Sequence, residues 1–320
     1  MTRLRCAILD DYQRVALSMA DWGSLADRVD VVPFHERLTT EDAVVHAIGD
    51  CQIVVAMRER SPFRRTLLSR LPQLRLLVST GTRNAAIDVA AAHELGITVC
   101  HTSSRPEPPA ELTWALILAL VRHIVPEPAA LASGGPWQQT LGVDLRGRRL
   151  GLLGLGKIGQ RVARVGLAFD MDVAAWSQNL TAERAAEVGV HRAASKEDLL
   201  ESSDIVSIHL VLSPRTRGLL GRDDLRRMCR TAYLVNTSRG PIVDEAALVE
   251  ALREGWIAGA GLDVFDEEPV PLDSPFRGMP NVLGTPHLGY VSEAGYRTYY
   301  GEAVEDIRAF LDGAPVRVLS

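Results

Sequence analysis

The 320-residue chain predicts an α/β protein built as two parallel-sheet lobes. Two observations carry that expectation. Short β-branched or apolar runs alternate with helix-like segments along the whole length, which is the pattern of strands joined by crossover helices. The second is a strand running straight into a G-x-G-x-x-G turn, Leu150-Gly151-Leu152-Leu153-Gly154-Leu155-Gly156-Lys157-Ile158-Gly159, almost halfway along the chain. A complete α/β unit must therefore precede the one this turn opens. The length suits two domains of ordinary size, each with its own core.

In the first lobe, strands are expected over 5–9, 29–32, 52–56, 74–79 and 97–100. Thr40-Glu41-Asp42-Ala43 opens a helix with a threonine N-cap and acids in its first turn, and a second helix over 84–95 stops at Gly96. The stiff cluster Pro106-Glu107-Pro108-Pro109 leads into an apolar helix over 110–124 that crosses between lobes, with Pro126 and Pro128 beyond its end. Six further strands, over 149–153, 172–176, 204–209, 233–236, 257–264 and 282–284, suit a doubly wound nucleotide-binding sheet. A last helix over about 291–311 and the segment 314–319 return to the first lobe. The domains are then 1–100 plus 290–320, and 101–289.

Composition narrows the function classes. A chain that is 47% hydrophobic and 23% charged is an ordinary soluble globular protein. Its net charge of -5 comes with arginines scattered among acids, which excludes the basic stripe of a nucleic-acid binder. Cys6, Cys51, Cys100 and Cys229 lie far apart and read as buried free thiols of a reducing cytoplasm. The charged N-terminus is no signal peptide, and the most apolar stretch, 112–121, is far short of the roughly 20 residues of a membrane span. Without H-E-x-x-H, a histidine pair at ligand spacing or a nucleophile elbow, metal hydrolysis and serine-type chemistry have no support.

The glycine turn supplies a cofactor site. Gly154 permits the tight turn, Gly156 lets the backbone approach a pyrophosphate, and Gly159 lets helix pack on strand. Lys157 and Ile158 begin a helix whose N–H groups and dipole favour phosphate. The next strand should end in an acid that bonds the ribose hydroxyls and repels a 2′-phosphate. Ser177 stands there instead, so NAD(H) use with tolerance of NADP(H) is expected.

Three more segments place a polar group just after an expected strand: Val235-Asn236-Thr237-Ser238-Arg239-Gly240, Gly261-Leu262-Asp263-Val264-Phe265-Asp266-Glu267-Glu268-Pro269, and Gly284-Thr285-Pro286-His287-Leu288-Gly289. Ligands of open α/β sheets bind at such carboxyl ends. Taken singly, Arg239 reads as a surface group, His287 as a turn residue and Glu268 as part of a solvated acidic loop. The ordered set, with Leu77-Val78-Ser79-Thr80-Gly81-Thr82-Arg83-Asn84 and Asp204-Ile205-Val206-Ser207-Ile208-His209-Leu210, resembles the D-isomer-specific 2-hydroxyacid dehydrogenase family over nearly the whole chain.

That resemblance implies a Rossmann-type doubly wound NAD(P)-binding domain inserted into a flavodoxin-like catalytic domain, the two lobes flanking a cofactor cleft. It implies that Arg239 grips the substrate carboxylate and leans on the carbonyl oxygen, which a planar guanidinium does better than an ammonium. His287 becomes the general acid and base, and Glu268 the acid that favours its charged form. Asp263 anchors the nicotinamide end, Thr237 lies along the cofactor, and the N–H groups of Thr82 and Arg83 face the substrate carboxylate. Arg83 departs from the commoner glycine-rich form of that loop. Arg58, in the charged run Met57-Arg58-Glu59-Arg60 after a first-lobe strand, reads first as part of a solvated loop, the other reading being a charge that faces the cleft and reaches a second anionic group. The expected enzyme is a cytoplasmic homodimer, paired through the 110–124 helix and the loop after it, that takes NAD or NADP and reduces small 2-oxo acids such as glyoxylate or hydroxypyruvate. The competing class is a non-catalytic NADH-sensing protein of the same fold. Glu268 argues against a formate dehydrogenase, in which glutamine partners the histidine.

Overall fold

The computed structural model describes residues 3–319. The chain divides into two compact units, one running to Arg105 and resuming at Ser292, the other spanning Pro106–Val291. In chain order the first unit holds β1 (Leu4–Ile8), β2 (Val29–Pro33), α1 (Glu41–Ile48), β3 (Ile53–Ala56), α2 (Arg65–Leu68), β4 (Leu76–Ser79), α3 (Val89–Glu94) and β5 (Thr98–His101). The second holds α4 (Glu107–Val121), α5 (Pro126–Ala132), β6 (Arg149–Leu153), α6 (Lys157–Ala168), β7 (Asp172–Trp176), α7 (Ala182–Ala186), β8 (His191–Arg192), α8 (Lys196–Ser202), β9 (Ile205–Ile208), α9 (Arg222–Arg227), β10 (Tyr233–Asn236), α10 (Glu245–Arg253), β11 (Gly259–Leu262) and β12 (Val282–Gly284). Helix α11 (Glu293–Leu311) belongs to the first unit.

The first unit is a five-stranded parallel sheet in the order β2-β1-β3-β4-β5, the flavodoxin-like arrangement. Every residue of β3 and β4 is buried, as expected for strands covered by helices on both faces. Thr40 caps α1 through Ala43 N at 3.1 Å. Helix α3 starts at Val89, five residues later than the sequence suggests. Residues 84–88 are drawn into other bonds: Asn84 Oδ1 accepts from Ala86 N, Asp88 N donates to Phe63 O, and the Asp88 carboxylate caps Ala91 N. After α11 the chain covers the edge of β5, with Leu319 N on Val99 O at 2.8 Å and Arg317 Nε on the buried Asp306 at 2.9 Å.

The second unit is a seven-stranded parallel sheet ordered β12-β11-β10-β9-β6-β7-β8. The additional strand is β8, two exposed residues at the edge that carry no apolar alternation to betray them. A core covers each face. Trp114, Ile117, Leu152, Val162 and Val173 pack together on one side, and Leu199, Val206, Leu234, Leu248 and Ile257 on the other. Helix α4 begins at Glu107, three residues earlier than expected, because Pro108 and Pro109 fit a first turn whose N–H groups need no helical acceptor. It ends at Val121, and α5 follows from Pro126.

No single helix among the described residues is long and apolar enough to cross a membrane; α4 and α5 qualify only as a pair bent by 63°, and α4 is largely built into the core. Cys6, Cys51 and Cys100 are buried, whereas Cys229 is exposed, correcting the expectation for that thiol; it lies in the turn after α9, outside any strand.

Candidate active site

Strand order reverses between β6 and β9, and the glycine turn lies at that switch point. Gly154 has φ +103, and a Cβ on it would stand 2.7 Å from the carbonyl oxygen of His209. A Cβ on Gly159 would stand 2.2 Å from the Gly154 carbonyl oxygen, so this position holds helix against turn. Gly156 differs: its Cβ direction meets nothing within 4 Å. As N-cap of α6 it leaves the first N–H groups of Lys157, Ile158 and Gly159 without a side-chain cap. The turn thus fits a pyrophosphate, with a helix dipole behind it and room where a side chain would intrude.

Ser177 is half-buried just past β7 and opens a tight turn, its carbonyl accepting from Leu180 N at 3.0 Å. Beneath the glycines, the His209 imidazole contacts Ser207 Oγ at 3.0 Å, and desolvation drives it down to about 4, so it is neutral in working conditions.

The tips of β10, β11 and β12 carry the polar groups. Past β10, the buried Asn236 accepts from Ser238 N and donates to the Arg239 carbonyl, both at 3.0 Å, shaping the turn from which Arg239 projects. Arg239 Nη1 also rests on the Ser238 carbonyl at 2.6 Å. Thr237 is buried, its hydroxyl 2.8 Å from that of Thr113 on α4. Asp263, the first residue beyond β11, is fully buried.

His287 lies past β12 with φ +52, a left-handed backbone that is uncommon for a residue with a side chain. Its Nδ1 is 2.6 Å from Glu268 Oε2, and Glu268 Oε1 accepts from Phe265 N at 3.0 Å. Burial alone would raise the Glu268 carboxyl. The hydrogen bond and charge of His287, the Phe265 N–H and the charge of Arg239 overcome it, and the group is held below its ordinary value. Arg239, Glu268 and His287 are therefore one electrostatic cluster. A Cβ on Gly240 would fall 2.2 Å from the Phe265 carbonyl carbon, so the loops bearing Arg239 and Glu268 touch backbone to backbone. Among the described residues, no hydrogen-bond partner holds Nε2 of His287.

The other expected residues lie in the first unit. Arg58 follows β3 with φ +53; Thr80 Oγ1 accepts its N–H at 2.8 Å, and Asn84 donates to its carbonyl at 2.5 Å. Its guanidinium lies over Gly81, where a Cβ would stand 1.8 Å from Nη1. Thr82 and Arg83 are exposed. The Thr82 N–H donates to Ser104 Oγ at 3.1 Å, whereas that of Arg83 has no acceptor among the described residues. Sequence reading assigned no role to Asn236, Asn84 or Thr80. Their work is to hold neighbouring backbone, which leaves no mark in a linear motif. Among the described residues no group of three or more His, Cys, Asp or Glu could hold a metal.

A family model described as "D-isomer specific 2-hydroxyacid dehydrogenase, NAD binding domain" matches residues 114–289. The glyoxylate reductase of Aeropyrum pernix is 44% identical over 256 residues, 77% of this chain and 76% of that protein. The D-3-phosphoglycerate dehydrogenase of Methanocaldococcus jannaschii is 35% identical over 277 residues, 86% of this chain and 52% of its own length. The crystal structure of a phosphoglycerate oxidoreductase from Vibrio cholerae gives a TM-score of 0.92 at 37% identity, covering 97% of this chain and 100% of that one.

Proposed function

Because this chain belongs to the D-isomer specific 2-hydroxyacid dehydrogenase family, we propose that it reduces glyoxylate- or hydroxypyruvate-like 2-oxo acids to D-2-hydroxy acids with His287 as general acid. Family membership makes it an oxidoreductase of 2-hydroxy acids that uses NAD or NADP. The observation that carries the finer reading is the 2.6 Å contact between His287 Nδ1 and Glu268, with Nε2 left for a ligand.

Bound at the glycine turn, the reduced cofactor supplies hydride to the carbonyl carbon. Arg239 pairs with the substrate carboxylate and polarises the carbonyl oxygen. His287 delivers a proton from Nε2 to that oxygen, and Glu268 stabilises the ring while it carries the proton. In the reverse direction the neutral ring takes the proton back. The open N–H of Arg83 and the guanidinium of Arg58 are assigned to substrate anions, Arg58 to a second one where the substrate has it. Thr237 and Asp263 stand next to the residues that do this chemistry.

The pairing surface is assigned to the segment after α4. Helix α4 is largely buried, whereas Ile124, Val125, Leu131, Trp137 and Leu141 are exposed, Trp137 by 78% and Leu141 by 91%. An apolar run of this kind fits a homodimer contact, and light scattering at twice the 34.9 kDa chain mass is the expected result.

The activity test is the loss of NADH or NADPH absorbance with a panel of 2-oxo acids, including glyoxylate, hydroxypyruvate and substrates with a second anionic group. Turnover is expected. Tight NADH binding without turnover across the panel would replace this reading with that of a sensor.

A further inference from the structure

We propose that Tyr290 is a positioning residue whose ring sets the plane of the His287 imidazole, so that Nε2 points where a proton must be delivered. The inference rests on the dehydrogenase reading above. The two ring centroids lie 5.1 Å apart with their planes at 76°, the edge-to-face arrangement that aromatic pairs favour over a stacked sandwich. Tyr290 is 8% exposed, so its ring is a fixed wall rather than a mobile surface group.

The backbone brings the two rings together. Val291 N donates to Leu288 O at 2.8 Å, closing a four-residue turn with Gly289 and Tyr290 at its centre. The chain doubles back there, and the tyrosine, three residues beyond the histidine, returns to it. Both residues belong to the second unit, and the contact lies wholly within it.

The contact supplies a restraint that the other bonds on His287 lack. Its N–H donates to Thr285 O at 2.9 Å and its φ is +52, which fixes where the side chain starts. Glu268 Oε2, 2.6 Å from Nδ1, fixes one ring atom. Neither sets the ring plane, because the torsion between Cβ and an imidazole is broad rather than confined to staggered wells. A ring pivoting on Nδ1 carries Nε2 through an arc, and transfer needs that nitrogen within hydrogen-bond reach of the carbonyl oxygen. An edge-to-face neighbour resists the pivot, since turning either plane gives up the favourable approach of edge to face. Glu268 holds the pivot, and Tyr290 holds the angle.

The test compares Tyr290→Phe, which keeps the ring, with Tyr290→Leu, which keeps an apolar group and removes the flat wall. Tyr290→Leu is expected to lower kcat about tenfold to thirtyfold, less than the roughly hundredfold loss from a full ångström of displacement. Its KM for the 2-oxo acid and its NADH affinity by fluorescence titration should stay within about threefold of wild type, as should every constant of Tyr290→Phe, because the lost interaction acts on the transition state alone. The low-field proton signal of the His287 Nδ1–H, identified by its loss in His287→Gln, should broaden in Tyr290→Leu and persist in Tyr290→Phe. Should Tyr290→Leu melt early, Tyr290→Met fills the same space with a flexible chain and takes its place. Wild-type kcat and an unchanged proton signal in Tyr290→Leu overturn the proposal, and so does an equal loss in both variants, which would place the role in the hydroxyl. A rise in KM of about tenfold with kcat and the proton signal unchanged overturns it in favour of a substrate contact. If the wild type turns over no 2-oxo acid, the dehydrogenase reading fails, while the proton signal in the two variants still decides whether Tyr290 holds the ring.

Discussion

Beyond the strand tips of the first unit, polar groups satisfy one another. The Asp10 carboxylate takes Ser61 and Tyr12, Arg60 donates to the Asp10 carbonyl, and Thr80 and Asn84 hold the backbone of Arg58. The second unit, also a parallel sheet, spends its carboxylates differently. Asp263 holds a loop, and Glu268 holds an imidazole whose Nε2 has no hydrogen-bond partner among the described residues. The same architecture therefore yields one set of strand tips where these side chains bond to one another and to nearby backbone, and another where a titratable ring is hydrogen-bonded from one side only. Chemistry is expected in the second unit and substrate selection in the first.

The largest expected effect is on turnover. His287→Ala and Arg239→Ala should each lower kcat on the order of 10³-fold, within the range for a positioned acid or base, while NADH affinity by calorimetry stays near wild type. Arg58→Ala should raise KM about tenfold for substrates with a second anionic group and spare kcat. If it instead lowered kcat as far as His287→Ala does, the division of labour between the units would be wrong.

The glycines sharpen the contrast. Gly154→Ala places a methyl 2.7 Å from the His209 carbonyl at φ +103, and cofactor affinity should fall about a hundredfold together with stability. Gly156→Ala meets no protein atom within 4 Å, so the free protein should melt normally while cofactor affinity drops. In the first unit, Gly81→Ala at φ +90 must displace the Arg58 guanidinium and should raise KM without changing cofactor affinity.

Two desolvated groups, one in each unit, answer pH with opposite signs. His209 is lowered from 6.5 to about 4 by desolvation, so below pH 6.5 the unfolded chain binds a proton that the native state refuses. Stability of the second unit should fall as pH drops from 6.5 to 4, by up to about 3.5 kcal/mol at about 1.4 kcal/mol per pKa unit, and His209→Gln should flatten that limb of a denaturation series. Asp306 in the first unit is raised from 3.8 to about 7, chiefly by burial, against the pull of Arg317 and with Glu302 and Glu305 adding to the rise. There the native state keeps a proton that the unfolded chain loses, so stability should fall as pH rises from about 4 to 7, and Asp306→Asn should remove the trend. The smallest effect is on cofactor choice: Ser177→Asp should shift the ratio of NADH to NADPH affinity about tenfold toward NADH, by restoring a ribose acceptor and repelling a 2′-phosphate.

The sequence by itself determined the alternation of strands and helices, the cofactor turn and the three polar segments after β10, β11 and β12, because each rests on local periodicity or on residue types at short fixed spacing. It also determined the family, through their order along the chain. Only the tertiary structure decided the start of α3, the two-residue β8, the N–H of Thr82 being taken by Ser104, and Asp263 closing around the histidine loop. Those outcomes depend on which donor meets which acceptor once distant segments are packed. A hydrogen bond between residues 263 and 289 leaves no periodicity to read.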